Sequence, residues 1–237
     1  MVLKRDFKYS GIIPDNDILH FVRERTDSEV NPPYYVYVPD IGNIAQYSDT
    51  IFGLFRGYDP ENDCDGYFMP SKFQEHNNCY AYACQIASNT YAQPGRMSGY
   101  KLSRKFLDAE IISAAQKDGL INIGDSIDKV KDFNRNNGGL GHYVCLLISE
   151  SNSQYGLRSD YHWVRCDDNS NFGKWSYKMG TGMVTNLDFE GKLISDPSEA
   201  NWSFNQGPVL SDEVFSLSVV YKLVTYMFVP GGRVNII

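Results

Sequence analysis

The sequence contains no run of about 18 apolar residues, so no membrane-spanning helix is expected. Its first residues, Met1-Val2-Leu3-Lys4-Arg5-Asp6-Phe7, include no apolar h-region, so an ordinary secretory signal is not expected either. The chain is expected to be made in the cytoplasm, and to leave it, if at all, without a cleaved signal. Basic character is scarce. The formal charge is -7 and the pI is about 5.1. The densest positive run holds Lys101, Arg104 and Lys105 and reads as a solvated loop or helix start. Nucleic acid is therefore not an expected partner. Zinc-type spacing is missing, since no Cys-x-x-Cys or His-x-x-x-His occurs and Cys79 and Cys84 stand five apart. No metal or cofactor is expected. Five cysteines, an odd count, argue against a disulfide framework. The polar stretch 58–69 lacks the ligand spacing of an EF-hand. The glycine-rich stretch 138–141 precedes a strand rather than a helix, so it reads as a turn and not a phosphate loop. Asp167-Asp168 falls in a turn and does not indicate a glycosidase. No internal repeat appears.

What is present is a chain of 237 residues, 42% hydrophobic and 14% aromatic. That suffices for a substantial core, and one compact domain is expected. Residues 1–70, rich in Tyr, Pro, Gly and Asp, read as an N-terminal extension packed on a core spanning 71–237. Within the extension, residues 15–25 suit a short helix capped by Asp15, and Tyr34 to Val38 suits a strand. Residues 79–88 read as a helix with Asn77 or Asn78 as N-cap. Residues 106–118 form an amphipathic helix, with Leu107, Ile111, Ala114 and Ala115 on one face and Gly119 as its stop. Beyond residue 138 the pattern turns to strands. Residues 143–149 suit a central strand. Residues 161–166 and 174–179 suit a hairpin across the turn at 167–173. Residues 183–187 suit another strand, and 216–229 one long strand or two short ones. The fold class is α+β, helices packed on an antiparallel sheet.

Cys79 is the thiol singled out by position. In the first turn of a helix, unpaired backbone N–H groups and the helix dipole favour thiolate and can bind an oxyanion. The competing reading is a small buried core residue. A base must come from elsewhere. His162, in Asp160-Tyr161-His162-Trp163-Val164-Arg165, opens a strand and can point at a helix packed on the sheet. Its competing reading is a core histidine in an aromatic cluster. His142 also opens a strand and is a rival base. His76 lies too close to Cys79 in sequence. Tyr80, Tyr82, Trp163 and Trp175 suit a groove or the core.

The stretches His76-Asn77-Asn78-Cys79-Tyr80-Ala81-Tyr82-Ala83, Asp160 to Arg165, and Lys174-Trp175-Ser176-Tyr177-Lys178-Met179-Gly180 come in that order. They continue through Val184 to Asp188 and Asp196-Pro197. Together they resemble the NlpC/P60 families of the papain-like fold over roughly residues 73–197. The resemblance implies a papain-like core and a catalytic set of Cys79, His162 and a third polar residue. Tyr177 stands at that third position, where histidine is common in the family, and His142 is the alternative arrangement. Gln74 could add an oxyanion donor; a surface glutamine is the plainer reading. The implied chemistry is acyl transfer: Cys79 attacks an amide carbonyl and His162 protonates the leaving amine.

The resemblance implies a cysteine peptidase or amidase acting on peptidoglycan peptides. By analogy it would be an antibacterial type VI secretion effector or phage-type wall hydrolase, delivered to a target-cell periplasm and matched by an immunity protein. Two alternatives stand beside it. One is a protease or deamidase effector acting on a host protein. The other is a non-catalytic phage or structural module that keeps the fold.

Overall fold

The computed structural model describes residues 34–38, 42–46, 68, 76–88, 90–103, 105–137, 139–150, 159–182, 184–209 and 215–237. The expected helix at 15–25, the loop at 58–67, Cys64 and Gln74 lie outside these residues. Strand β1 (Tyr34–Val38) pairs antiparallel with β2 (Gly42–Gln46) in a two-stranded sheet.

Helix α1 (Cys79–Ala83) is five residues long, shorter than the ten expected. Its start is as read: the Asn78 side chain accepts the Ala81 N–H at 3.1 Å. Its end is a Schellman closure, with the Gln85 N–H on the Tyr82 carbonyl and the Ile86 N–H on the Ala81 carbonyl. That closure puts Gln85 at φ 57, where glycine usually stands, so composition did not reveal the stop. Helix α2 (Asp108–Lys117) buries Ile111, Ala114 and Ala115 as the spacing predicts. Leu107 differs from expectation: it is the N-cap, extended and 60% exposed, one residue outside the helical periodicity.

Two elements were not foreseen. Strand β3 (Ile121–Gly124) and helix α3 (Ile127–Asn137) occupy a stretch whose high polarity hid a narrow apolar face. Val130 is fully buried on that face, with Ile127 and Phe133 half-buried beside it.

The remaining strands are β4 (Gly141–Ser149), β5 (Asp160–Cys166), β6 (Trp175–Lys178), β7 (Val184–Thr185), β8 (Ser203–Val209) and β9 (Phe215–Pro230). They form a seven-stranded antiparallel sheet in the order β3-β9-β4-β5-β6-β7, with β8 also paired to β9. The class is thus mixed α+β. The 143–149 run is central, as expected, and all nine residues of β4 are buried. The 216–229 segment is one long strand, whose register to β4 shifts once between Leu146 and Leu147.

The sheet is covered on both faces, which explains why β4 is continuously apolar rather than alternating. One core cluster joins α1 and α2 to Val144, Leu146, Ile148, Tyr161, Trp163, Met227 and the C-terminal residues Val234 and Ile236. The other joins Val130 of α3 to Tyr143, Cys145, Leu147, Val164, Trp175, Tyr177, Trp202 and Tyr221. Among the described residues, no helix is long and apolar enough to cross a membrane.

Candidate functional site

Because α1 packs on β5 and β6, strand parity decides what can meet Cys79. Successive residues of a strand point to opposite faces. Tyr161 and Trp163 share the cluster of Cys79, whereas Val164 and Cys166 share that of Tyr177. His162, between Tyr161 and Trp163, therefore faces away from α1. Its ring meets Tyr177 edge-on at 4.8 Å and 85°, and Tyr221 at 6.2 Å. In register, Tyr177 lies opposite Val164, which makes it the diagonal neighbour of His162 on one face.

The structure thus brings His162 and Tyr177 together and leaves Cys79 on the other side of the sheet. The Cys79–His162–Tyr177 set expected from the sequence is not assembled, because residue 162 has the wrong parity. His162 is 4% exposed, and burial pushes its imidazole down to about 3. Its Nε2 is buried without a hydrogen-bond partner. Tyr177 meets it through its ring, so no hydroxyl orients Nε2. The aromatic-cluster reading of His162 is the one its surroundings match.

His142 does lie on the α1 face, but at the other end of the helix. Its Nε2 is 2.5 Å from the Ala83 carbonyl. A carbonyl only accepts, so Nε2 is the donor. Cys79 and Ala83 are four residues apart, about 6 Å along a helix axis. Burial pushes His142 down to about 3 as well. His76 serves through its backbone, its carbonyl accepting the Tyr91 N–H.

Cys79 itself opens α1 as predicted and is 6% exposed. Burial pushes its thiol up to about 12. The backbone N–H groups of Trp163 and Tyr80 oppose this, as does the cation of Lys178, while Asp160 adds to it. The sequence reading missed Lys178. It ends β6, two residues beyond Ser176, on the face that α1 covers, and it is fully buried. Its Nζ donates to the Gly180 carbonyl at 2.7 Å. Burial pushes its amine down to about 7, with Cys79 acting in the opposite sense. The signal was parity: in Trp175-Ser176-Tyr177-Lys178, residues 176 and 178 share the face that 177 does not.

The same face carries further buried polar groups. Arg165 pairs with Asp167 at 2.8 Å, both side chains 1% exposed, and its guanidinium lies 4.2 Å from the Tyr82 ring centroid. The Tyr82 and Ser176 hydroxyls are 2.6 Å apart. Among the described residues, no group of three or more His, Cys, Asp or Glu side chains could hold a metal ion. The four described cysteines are free and buried.

No family model matches the chain. No solved structure matches it either. Among curated proteins it is similar to insoluble matrix shell protein 1 of Ruditapes philippinarum, with 34% identity over 143 residues. That alignment covers 58% of this chain and 82% of the shell protein. At that identity and coverage, the chain belongs to the family of insoluble matrix shell protein 1.

Proposed function

We propose that this chain is a non-catalytic structural domain, a building component of an insoluble matrix. The observation that carries the reading is the separation of Cys79 from His162 and Tyr177 by the thickness of the sheet. A cysteine nucleophile needs thiolate and a base in reach. Here burial holds the thiol up at about 12 and the imidazole down at about 3. Both groups are neutral near pH 7 and suited to packing. The relative's description as an insoluble matrix protein supports the same reading.

A second reading keeps the chemistry expected from the NlpC/P60 resemblance, with a papain-like core and Cys79 as nucleophile. One observation favours it: two backbone N–H groups reach the thiol, and the cation of Lys178 on the same face lowers it. In this reading the Lys178 ammonium, not His162, holds the thiolate as its partner charge. The substrate would be peptidoglycan peptides or a host protein, with delivery as an effector and an immunity partner.

One experiment separates the two. Purified sacculi and an unstructured protein substrate are incubated with the wild type and with Cys79→Ala, and the products are read by mass spectrometry. Unchanged muropeptides and intact protein are expected. Release of either product that is lost in Cys79→Ala would overturn the structural reading and establish the hydrolase.

A further inference from the structure

Asp118 sits where three separated segments meet, at the C-cap of α2. Its Oδ2 accepts the Tyr80 hydroxyl at 2.8 Å and the Gly95 N–H at 2.7 Å. Its backbone carbonyl accepts the Asn235 N–H at 3.1 Å. Gly119, the next residue, stands at φ +106, and a Cβ there would lie 2.7 Å from the Arg233 carbonyl, so the C-terminal tail runs directly against this turn. At the tail's end, the Gln93 N–H reaches the Ile237 carbonyl at 3.2 Å. Asp118 is 4% exposed, and its Oδ1 is buried with no hydrogen-bond partner.

Among the described residues, the charged and titratable groups around this carboxyl are few. Tyr80 and Cys84 face it from α1 and its cap, and Tyr161 of β5 lies behind Tyr80. Lys117 is exposed and lies over the Tyr100 ring at 5.4 Å. Arg96 is committed to the carbonyls of Thr90 and Tyr91. Arg233 is exposed. None of these cations offsets the burial of the carboxyl, which pushes it up to about 6 against the pull of Gly95 and Tyr80.

We propose that Asp118 is a proton-operated latch on the C-terminal tail. Neutral, the carboxyl stays buried against Tyr80 and Gly95, and residues 231–237 stay packed at this junction, with the Asn235 N–H on the Asp118 backbone carbonyl. Ionised, it loosens that tail and opens the cleft lined by Cys84, Gln85, His142, Pro230, Gly232 and Val234. The physical reason is hydration. A carboxylate with a bare buried oxygen gains by reaching water. The segment that can move aside at least cost is the tail, which has no regular structure beyond β9 and would open locally without unfolding the sheet.

The test is amide hydrogen exchange of the 231–237 peptide between pH 5 and pH 8. Asp118→Asn is measured at each pH, so that the intrinsic pH dependence of exchange cancels. Protection equal to the variant at pH 5 is expected, falling about tenfold below it by pH 7.5, the change that one pKa unit represents. Parallel profiles for the two proteins overturn the latch. Should Asp118→Asn fold poorly, carbon-detected NMR of the wild type titrates the Asp118 carboxyl alongside the Val234 and Ile236 methyl signals. Tail signals moving with the carboxyl midpoint support the latch, and tail signals flat across it refute it.

Discussion

At the scale of the residue, the decisive pair is Cys79 and Lys178. The thiol is held neutral by burial, and the cation of Lys178 on the same face opposes that shift. The positive charge of Lys178 opposes the rise of the thiol and so favours thiolate. Alkylation by iodoacetamide should therefore depend on Lys178 and not on His162. Labelling of Cys79 should rise with pH through neutrality in the wild type, slow roughly tenfold in Lys178→Met, and be unchanged in His162→Gln. Cys145, fully buried in the other cluster, serves as the clock for global unfolding. A His162→Gln variant that slows Cys79 as Lys178→Met does would sink this assignment. The sequence made Cys79 legible, because a capping asparagine before a helical run places it in the first turn. It made Tyr177 legible as a neighbour of His162 but not of Cys79. What misled was treating the opening of a strand as enough to aim His162 at the helix.

At the scale of the element, most strands and two of the three helices were legible, though α1 proved shorter than read, and β3 and α3 were missed. β5 and β6 announce themselves by alternation and a polar turn. β4 announces itself by a continuous apolar run that fits a strand covered on both faces. α1 ends early because Gln85 adopts a glycine-like conformation and closes the helix. α3 was missed because only a narrow stripe, centred on Val130, meets the sheet. Its exposed side carries the ion pairs Lys129–Asp125 and Lys131–Asp128, of the kind that add a few tenths of a kcal/mol each. Gly141 shows how closely β4 and β9 approach. A Cβ there would stand 2.4 Å from the Val229 carbonyl and from the Phe228 ring. Gly141→Ala should destabilise the fold by about 1–3 kcal/mol, the usual cost of overpacking, read as a lower denaturant midpoint at unchanged m-value. A midpoint equal to wild type would show that β9 yields at this point.

At the scale of the molecule, the buried titratable groups set a pH profile of stability. His142 and His162 are depressed to about 3 from an ordinary 6.5. Their contribution is full above pH 6.5 and is lost as pH falls towards 3. Asp118 works the opposite way. Its raised carboxyl contributes stability that is full below about 3.8 and lost as pH rises through about 6. Cys79, raised to about 12, contributes below 9.0 and loses that contribution at higher pH. Two histidines outweigh one carboxyl below neutrality, and Lys178, lowered to about 7 from 10.5, adds stability as pH rises above about 7, so the stability maximum is expected near pH 9, where Cys79 begins to lose its contribution. Tm should fall by roughly 5 °C from pH 7 to pH 5, and should fall further in Asp118→Asn, which lacks the compensating carboxyl. A Tm that is flat over this range, or rises on acidification, contradicts the neutral buried histidines.

Much of this protein followed from its sequence alone. Hydrophobic periodicity determined the α+β class, the central place of β4, the β5–β6 hairpin and the capped helix that begins at Cys79, because period and capping chemistry are local properties of the chain. The tertiary structure decided which of those local features meet. A strand carries two faces, and local pattern assigns alternate residues to them without saying which face a distant helix will cover. Once α1 docked on the face of Trp163, Ser176 and Lys178, Cys79 gained a lysine and lost His162 and Tyr177 to the other core. The meeting of α1, the 93–100 segment and the C-terminal tail at Asp118 is likewise a long-range contact. No spacing in the sequence encodes it.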